Sequence, residues 1–337
     1  MKNNIQSLIF QQIKLRIGNQ DSIGNALSEV LHISPDAVYR RYRNETPLTA
    51  NEIQKLCQHY DISFDKLANI GQGKALFDFP PLTSYDFSLE TYLEGIRDRF
   101  LHLKSFTNPN ITLAINNVQF FQLLNFPQLV RFRLFFWAKT HLQMENYSNQ
   151  KFVHEKTSSR AFDLGKEILQ LYNQIPSIEI YDPELLRGFM RQIWYYYKAH
   201  LFEDPNYALF LCDRAILFIE HLKDQATVGK KFIYGTSAPA EGNVFQMYVN
   251  ETINAEATFV YETQETSGLF ITHNILNYLH TTDENYLSDT KKILDKQLAN
   301  SSLISEVNEK ERNSYFFDLE KMIRSFRARI EADLTME

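Results

Sequence analysis

The chain has 337 residues, 44% hydrophobic and 23% charged, with a formal charge of −6. That length exceeds what one growing core usually accommodates, so more than one domain is expected, and no segment is polar enough to stay unfolded. Phe (26) and Tyr (18) outnumber Gly (11) and Pro (10), which favours helices packed through aromatic rings over a loop-rich β architecture.

In chain order, the first 70 or so residues read as five short helices. Ile5, Leu8, Ile9, Ile13 and Ile17 recur at helical spacing before Gly18, and Asp21 or Ser22 caps a second helix carrying Ile23, Ala26, Leu27 and Val30. Ser34 followed by Pro35 starts a third helix that runs through Tyr42, because proline at the first helical position gives up only an N–H that had no partner. Thr49-Ala50-Asn51-Glu52 is a capping box for a fourth helix with Ile53, Leu56 and Tyr60 on one face. Ser63 opens a short fifth helix holding Phe64 and Leu67.

A Gly- and Pro-containing linker spans 73–84. Beyond it, helical patterns occupy 85–105, 127–142, 158–174, 183–202 and 206–223, with a strand at 111–116. After Gly229 the texture changes to short aromatic and β-branched runs, KFIYGT, NVFQMYVNE, ATFVYET and GLFITHN, which read as strands; helices follow at 284–300 and 309–332. The expected fold is therefore mainly α. It comprises a helix-turn-helix domain at 1–72, a helical domain at 85–228 and a small α+β domain at 229–337.

Charge is unevenly spread. Residues 1–75 hold nine Lys or Arg against seven Asp or Glu, a balance of +2, so the acidity belongs to the remainder. Three of the nine cations are Arg40, Arg41 and Arg43. In Leu27–Arg43, Leu27 and Leu31 form the inner face of the second helix, Ile33 fills the turn, and Val38 and Tyr42 anchor the third. Asp36, Ala37, Tyr39, Arg40 and Arg43 face outward, where a second helix could enter a DNA major groove.

This segment resembles the lambda-repressor-like, or Cro/C1-type, helix-turn-helix family, in five-helix count and spacing over about a fifth of the chain. The resemblance implies a transcriptional regulator bound to double-stranded DNA. Ser34 takes a phosphate-contacting position, Asp36, Ala37 and Arg40 take base-facing ones, and Arg43 takes a backbone-contact one. The turn position often held by glycine is His32 here. By chemistry, Arg40 suits guanine, and Arg41 and Arg43 suit phosphates. Asp36 suits either cytosine N4 or the helix N-terminus electrostatically. So small a positive balance implies a homodimer.

The rest carries no P-loop, dinucleotide fingerprint, nucleophile elbow, C-x-x-C or H-E-x-x-H motif, so no enzyme activity, catalytic residue, cofactor or metal is expected. His273 and His280, with Asp283, are the nearest metal-like set, the two histidines sharing a face if 272–283 is a helix, but further zinc ligands are missing and satisfied or exposed histidines are expected. Cys57 and Cys212 read as buried thiols. The aromatic runs at 132–139 and 193–202 read as core, with an effector pocket as the functional alternative. The polar stretch holding Ser301, Ser302, Ser305, Asn308, Glu309, Lys310 and Arg312 resembles the end of phospholipase-D-like regulatory domains without their H-x-K-x-x-x-x-D motif. That likeness implies a domain sensing a small molecule or a protein. A helical interaction or scaffolding protein is the alternative to a regulator. With no signal-type or membrane-spanning run of apolar residues, the expected location is the cytoplasm.

Overall fold

The computed structural model of the chain describes residues 4–17, 23–68, 73–79, 88–153, 159–240, 244–252, 257–273 and 278–336. Two units divide it, Met1–Leu76 and Phe77–Glu337. Gly18, Asp21, Ser22 and the linker's end at 80–84 lie outside the described residues.

In the first unit, α1 (Ile5–Ile17), α2 (Ile23–Leu31), α3 (Pro35–Tyr42), α4 (Ala50–His59) and α5 (Phe64–Leu67) follow one another. Local chemistry sets two of the starts. Ser34 Oγ accepts the Ala37 N–H at 3.3 Å ahead of Pro35. At α4, Thr49 and Glu52 each accept the other's backbone N–H, at 3.3 and 2.8 Å. Ile9, Ile13, Leu27, Val38 and Leu56 are fully buried in one core. Each contributes about 1.5–3 kcal/mol of gross burial energy, against the entropy of ordering the chain. Gln6 joins the elements: its Nε2 donates to the carbonyls of Arg41 (2.7 Å) and Thr46 (3.0 Å), and its Oε1 accepts the Leu48 N–H (2.7 Å).

The second unit is built on seven strands in the order β6-β5-β4-β1-β2-β3-β7. β1 (Asn110–Ile115), β2 (Ser177–Tyr181) and β3 (Phe245–Val249) are parallel neighbours. β4 (Thr258–Glu262), β5 (Ser267–Thr272) and β6 (Tyr278–Thr281) continue antiparallel beyond β1, and β7 (Ser302–Leu303) closes the opposite edge against β3. α6 (Leu89–Lys104) precedes the sheet. Between β1 and β2 run α7 (Phe120–Leu123), α8 (Pro127–Phe136) with a π-helical turn at Trp137–His141, and α9 (Ser159–Asn173). α10 (Arg187–Lys198) and α11 (Asn206–Val228) connect β2 to β3, while α12 (Glu284–Ala299) and α13 (Glu309–Leu334) flank β7 in sequence. α6 packs on α9 and α11 on α13. The opposite sheet face buries Ala114, Ile180, Val260 and Leu269 with Leu287 and Leu294 of α12.

The sheet corrects the expected fold class. A mainly α chain with a small C-terminal α+β domain is overturned, because one mixed sheet draws β1 and β2 from the region read as helical and joins them to β3–β7. The strand SIEIY at 177–181 is not among the sequence expectations: it is short, and its polar residues Ser177 and Glu179 are buried, against the usual polar-out reading of an alternating strand. KFIYGT is a loop with a turn, not a strand, and Tyr278–Thr281, which the sequence reading assigns to no element, is an edge strand paired to β5. Among the described residues no helix is long and apolar enough to cross a membrane.

Candidate nucleic-acid interface

α2 and α3 meet through a turn whose geometry the sequence makes specific. His32 adopts φ 55°, a left-handed conformation that glycine takes freely and histidine takes at a modest cost. The Ile33 N–H reaches back to the Ser28 carbonyl at 3.3 Å. A Cβ at Gly24 would stand 2.6 Å from the Tyr39 ring, so the ring packs on α2 where position 24 carries no side chain.

Burial revises the outward set. Tyr39 is exposed as expected, with one edge of its ring against α2 at Gly24, whereas Ala37 is half-buried. Tyr42, expected as a buried anchor, is 38% exposed and offers its ring edge-on to Phe10 at 5.5 Å; Val38 alone is the fully buried anchor of α3. Ser34 is exposed, and its Oγ accepts the Ala37 N–H at the helix cap while its O–H stays a donor.

The three arginines separate by partner. Arg40 bonds Asp36 at 3.2 Å across one helical turn, with side chains 61% and 70% exposed. Arg43 meets Glu45 at 2.9 Å, also in solvent. Arg41 points inward: it meets Glu52 at 2.8 Å and donates to the Ala37 carbonyl at 3.1 Å, both side chains being largely covered. Burial alone would raise the Glu52 carboxyl, but the Thr49 N–H and Arg41 outweigh it and hold it below the usual carboxylate range. Arg41 thus ties α3 to α4 and is not placed to reach a phosphate, contrary to the sequence expectation. The accessible face of α3 and its caps gathers Ser34, Asp36, Tyr39, Arg40 and Arg43.

In the second unit, His273 and His280 are not on a helix. They lie at the end of β5 and in β6, and among the described residues no group of His, Cys, Asp or Glu could hold a metal. The polar stretch near 301–312 stitches the sheet edge. Ser305 accepts the Met247 N–H at 3.1 Å, Asn308 donates to Leu303 at 2.8 Å, and buried Arg312 donates to the carbonyls of Ile304 (2.7 Å) and Val307 (2.9 Å). Of the aromatic runs, Phe132, Phe136, Ile193 and Tyr196 are core, whereas Arg133 and Trp137 line a cleft. Both cysteines are free thiols; Cys212 is buried and burial raises it to about 12.

Beneath α9, a buried polar cluster had no warning in the spacing of the sequence. Glu179 on β2 accepts the hydroxyls of Tyr172 and, at 2.7 Å, Tyr181. Lys231 sits 3.8 Å from the Tyr172 ring centroid and donates to the Ile175 carbonyl at 2.6 Å. Burial pulls its ammonium down to about 7, against the opposing pull of Glu179. Each polar atom here faces a partner, as a scaffold requires. No family model, curated protein or solved structure matches this chain.

Proposed function

We propose that the chain is a DNA-binding transcriptional regulator of the cytoplasm that acts as a homodimer, with α3 entering the major groove of double-stranded DNA. The observation that carries this reading is the accessible α3 face, with Arg40 and Arg43 projecting from a helix fixed against α2 by the Gly24–Tyr39 contact. An exposed ion pair is worth about 0–1 kcal/mol, so Arg40 can exchange Asp36 for a guanine edge at little cost. Arg43 supplies a phosphate contact, with the salt dependence that follows. The Phe77–Glu337 unit serves assembly and signal sensing in this reading.

The test is enrichment of genomic DNA on the full chain, followed by fluorescence anisotropy on the recovered site. Arg40→Ala is expected to lose about 1–3 kcal/mol of discrimination at one base pair. Failure to retain any DNA at low salt, or an Arg40→Ala chain with unchanged specificity, overturns the assignment.

A further inference from the structure

Over β1, β4, β5 and β6, beneath α6 and α8, lies a cleft of about 1730 Å³. It exceeds the roughly 300–1,000 Å³ of a drug-sized ligand pocket, so a ligand would occupy only part of it. One rung of the sheet runs His280–Phe270–Phe259–Leu113, and the His280 and Phe270 rings stack at 4.5 Å. Phe100, Phe121 and Trp137 extend this aromatic surface.

Set among these rings is Arg133, 7% exposed. Its Nη1 donates to Gln192 Oε1 at 3.3 Å, and its guanidinium lies 4.8 Å from the Trp137 ring centroid and 5.7 Å from that of Phe189. The hydroxyls of Tyr278 and Tyr92 are its other electrostatic neighbours; among the described residues no carboxylate pairs with it. Burial pulls the guanidinium down to about 10, so it remains charged at neutral pH. A buried cation without an anion is costly to keep, and such groups are otherwise paired. His141, also lining the cleft, is pushed below the usual histidine range by burial and then by Arg133, which keeps the imidazole neutral near pH 7. Arg99 also lines the cleft, exposed and 5.5 Å from the Phe270 ring centroid. The buried part of the site therefore holds one positive charge, with a planar fork of donors that matches a carboxylate, and a flat apolar surround.

We propose that this cleft binds an aromatic monoanion, its carboxylate on Arg133 and its ring against Trp137, Phe259 and Phe270. The site stands independently of DNA binding by α3. The probe is 8-anilinonaphthalene-1-sulfonate, an aromatic monoanion whose emission rises in an apolar site, titrated into the full chain and then displaced. 2-Naphthoate is expected to displace it at about ten-fold lower concentration than the neutral 2-naphthalenemethanol, with 2-naphthyl phosphate less effective than the naphthoate. In Arg133→Met the preference for naphthoate over the alcohol disappears, while the melting temperature without ligand is unchanged or raised, because no carboxylate is orphaned by the substitution. Equal displacement by alcohol and naphthoate in the unmodified chain overturns the anion site, a comparison that needs no variant to fold. Stronger displacement by the naphthyl phosphate overturns the monoanion, and a preference that survives in Arg133→Met overturns the role of Arg133.

Discussion

The two units hold their arginines in opposite ways. On α3 and at its C-cap, Arg40 and Arg43 stand in solvent and each already has a carboxylate, at 3.2 and 2.9 Å. In the cleft, Arg133 is buried and has none among the described residues. Water makes the first pairs cheap to exchange, while its absence makes the second cation costly until an anion arrives. Availability to a negatively charged ligand can thus rest on weak pairing at a surface or on withheld pairing in an interior. The first suits a sliding, salt-sensitive contact and the second a selective one.

The buried side of that comparison breaks most severely at Glu179. Glu179→Leu leaves two tyrosine hydroxyls without their acceptor and Lys231 without the neighbouring negative charge, and a loss of about 3–5 kcal/mol is expected by denaturant titration. A loss below about 1 kcal/mol would mean that the cluster rearranges around water.

Next in size is the pH dependence carried by Lys231. Below about 7 both folded and unfolded chains hold its proton and the full penalty of burial applies. From there up to the ordinary lysine range the unfolded chain binds a proton that the folded one does not, so stability rises with pH, by at most about 1.4 kcal/mol per unit. Lys231→Met should flatten that slope between pH 7 and 10 in chemical melts followed by circular dichroism; an unchanged slope would assign it to other groups.

At the partly covered pair of the first unit the effect shrinks. Glu52→Gln weakens the Arg41 bridge while keeping much of the capping box, and a cost of about 1–2 kcal/mol is expected in thermal unfolding. Smallest is the exposed pair: Asp36→Asn should change stability by less than about 0.5 kcal/mol, yet tighten DNA binding a few-fold at low salt by releasing Arg40 and removing a like charge from the phosphates. Weaker binding by Asp36→Asn would instead give Asp36 a direct part in reading the base.

The same contrast explains what the sequence let a reader see. Caps such as Ser34-Pro35 and Thr49-x-x-Glu52 act within four residues, so α3 and α4 could be placed from local chemistry. Sheet order is set by partners far apart: Ile111 of β1 pairs with Ser177 and with Tyr261, and no local signal announces either. The β2 strand escaped because its central Glu179 looks like a surface residue until Tyr172 and Tyr181 supply its donors. Arg41 was misplaced because periodicity along α3 does not report that Glu52, on another helix, turns it inward. At the cleft, the run FRLFFWAK showed its aromatics and its arginine, but not that Arg133 would be buried beside Trp137 without a carboxylate.

Gly24 and Tyr39 together constrain how this chain can change over generations. With a Cβ at position 24 arriving 2.6 Å from the Tyr39 ring, even Gly24→Ala displaces the ring or tilts α3, and with it the angle at which Arg40 is presented. Enlarging residue 24 without redirecting α3 requires the residue 39 side chain to swing aside or to shrink. The space left by the missing side chain at residue 24 is thus what lets a ring as large as that of Tyr39 lie along α2.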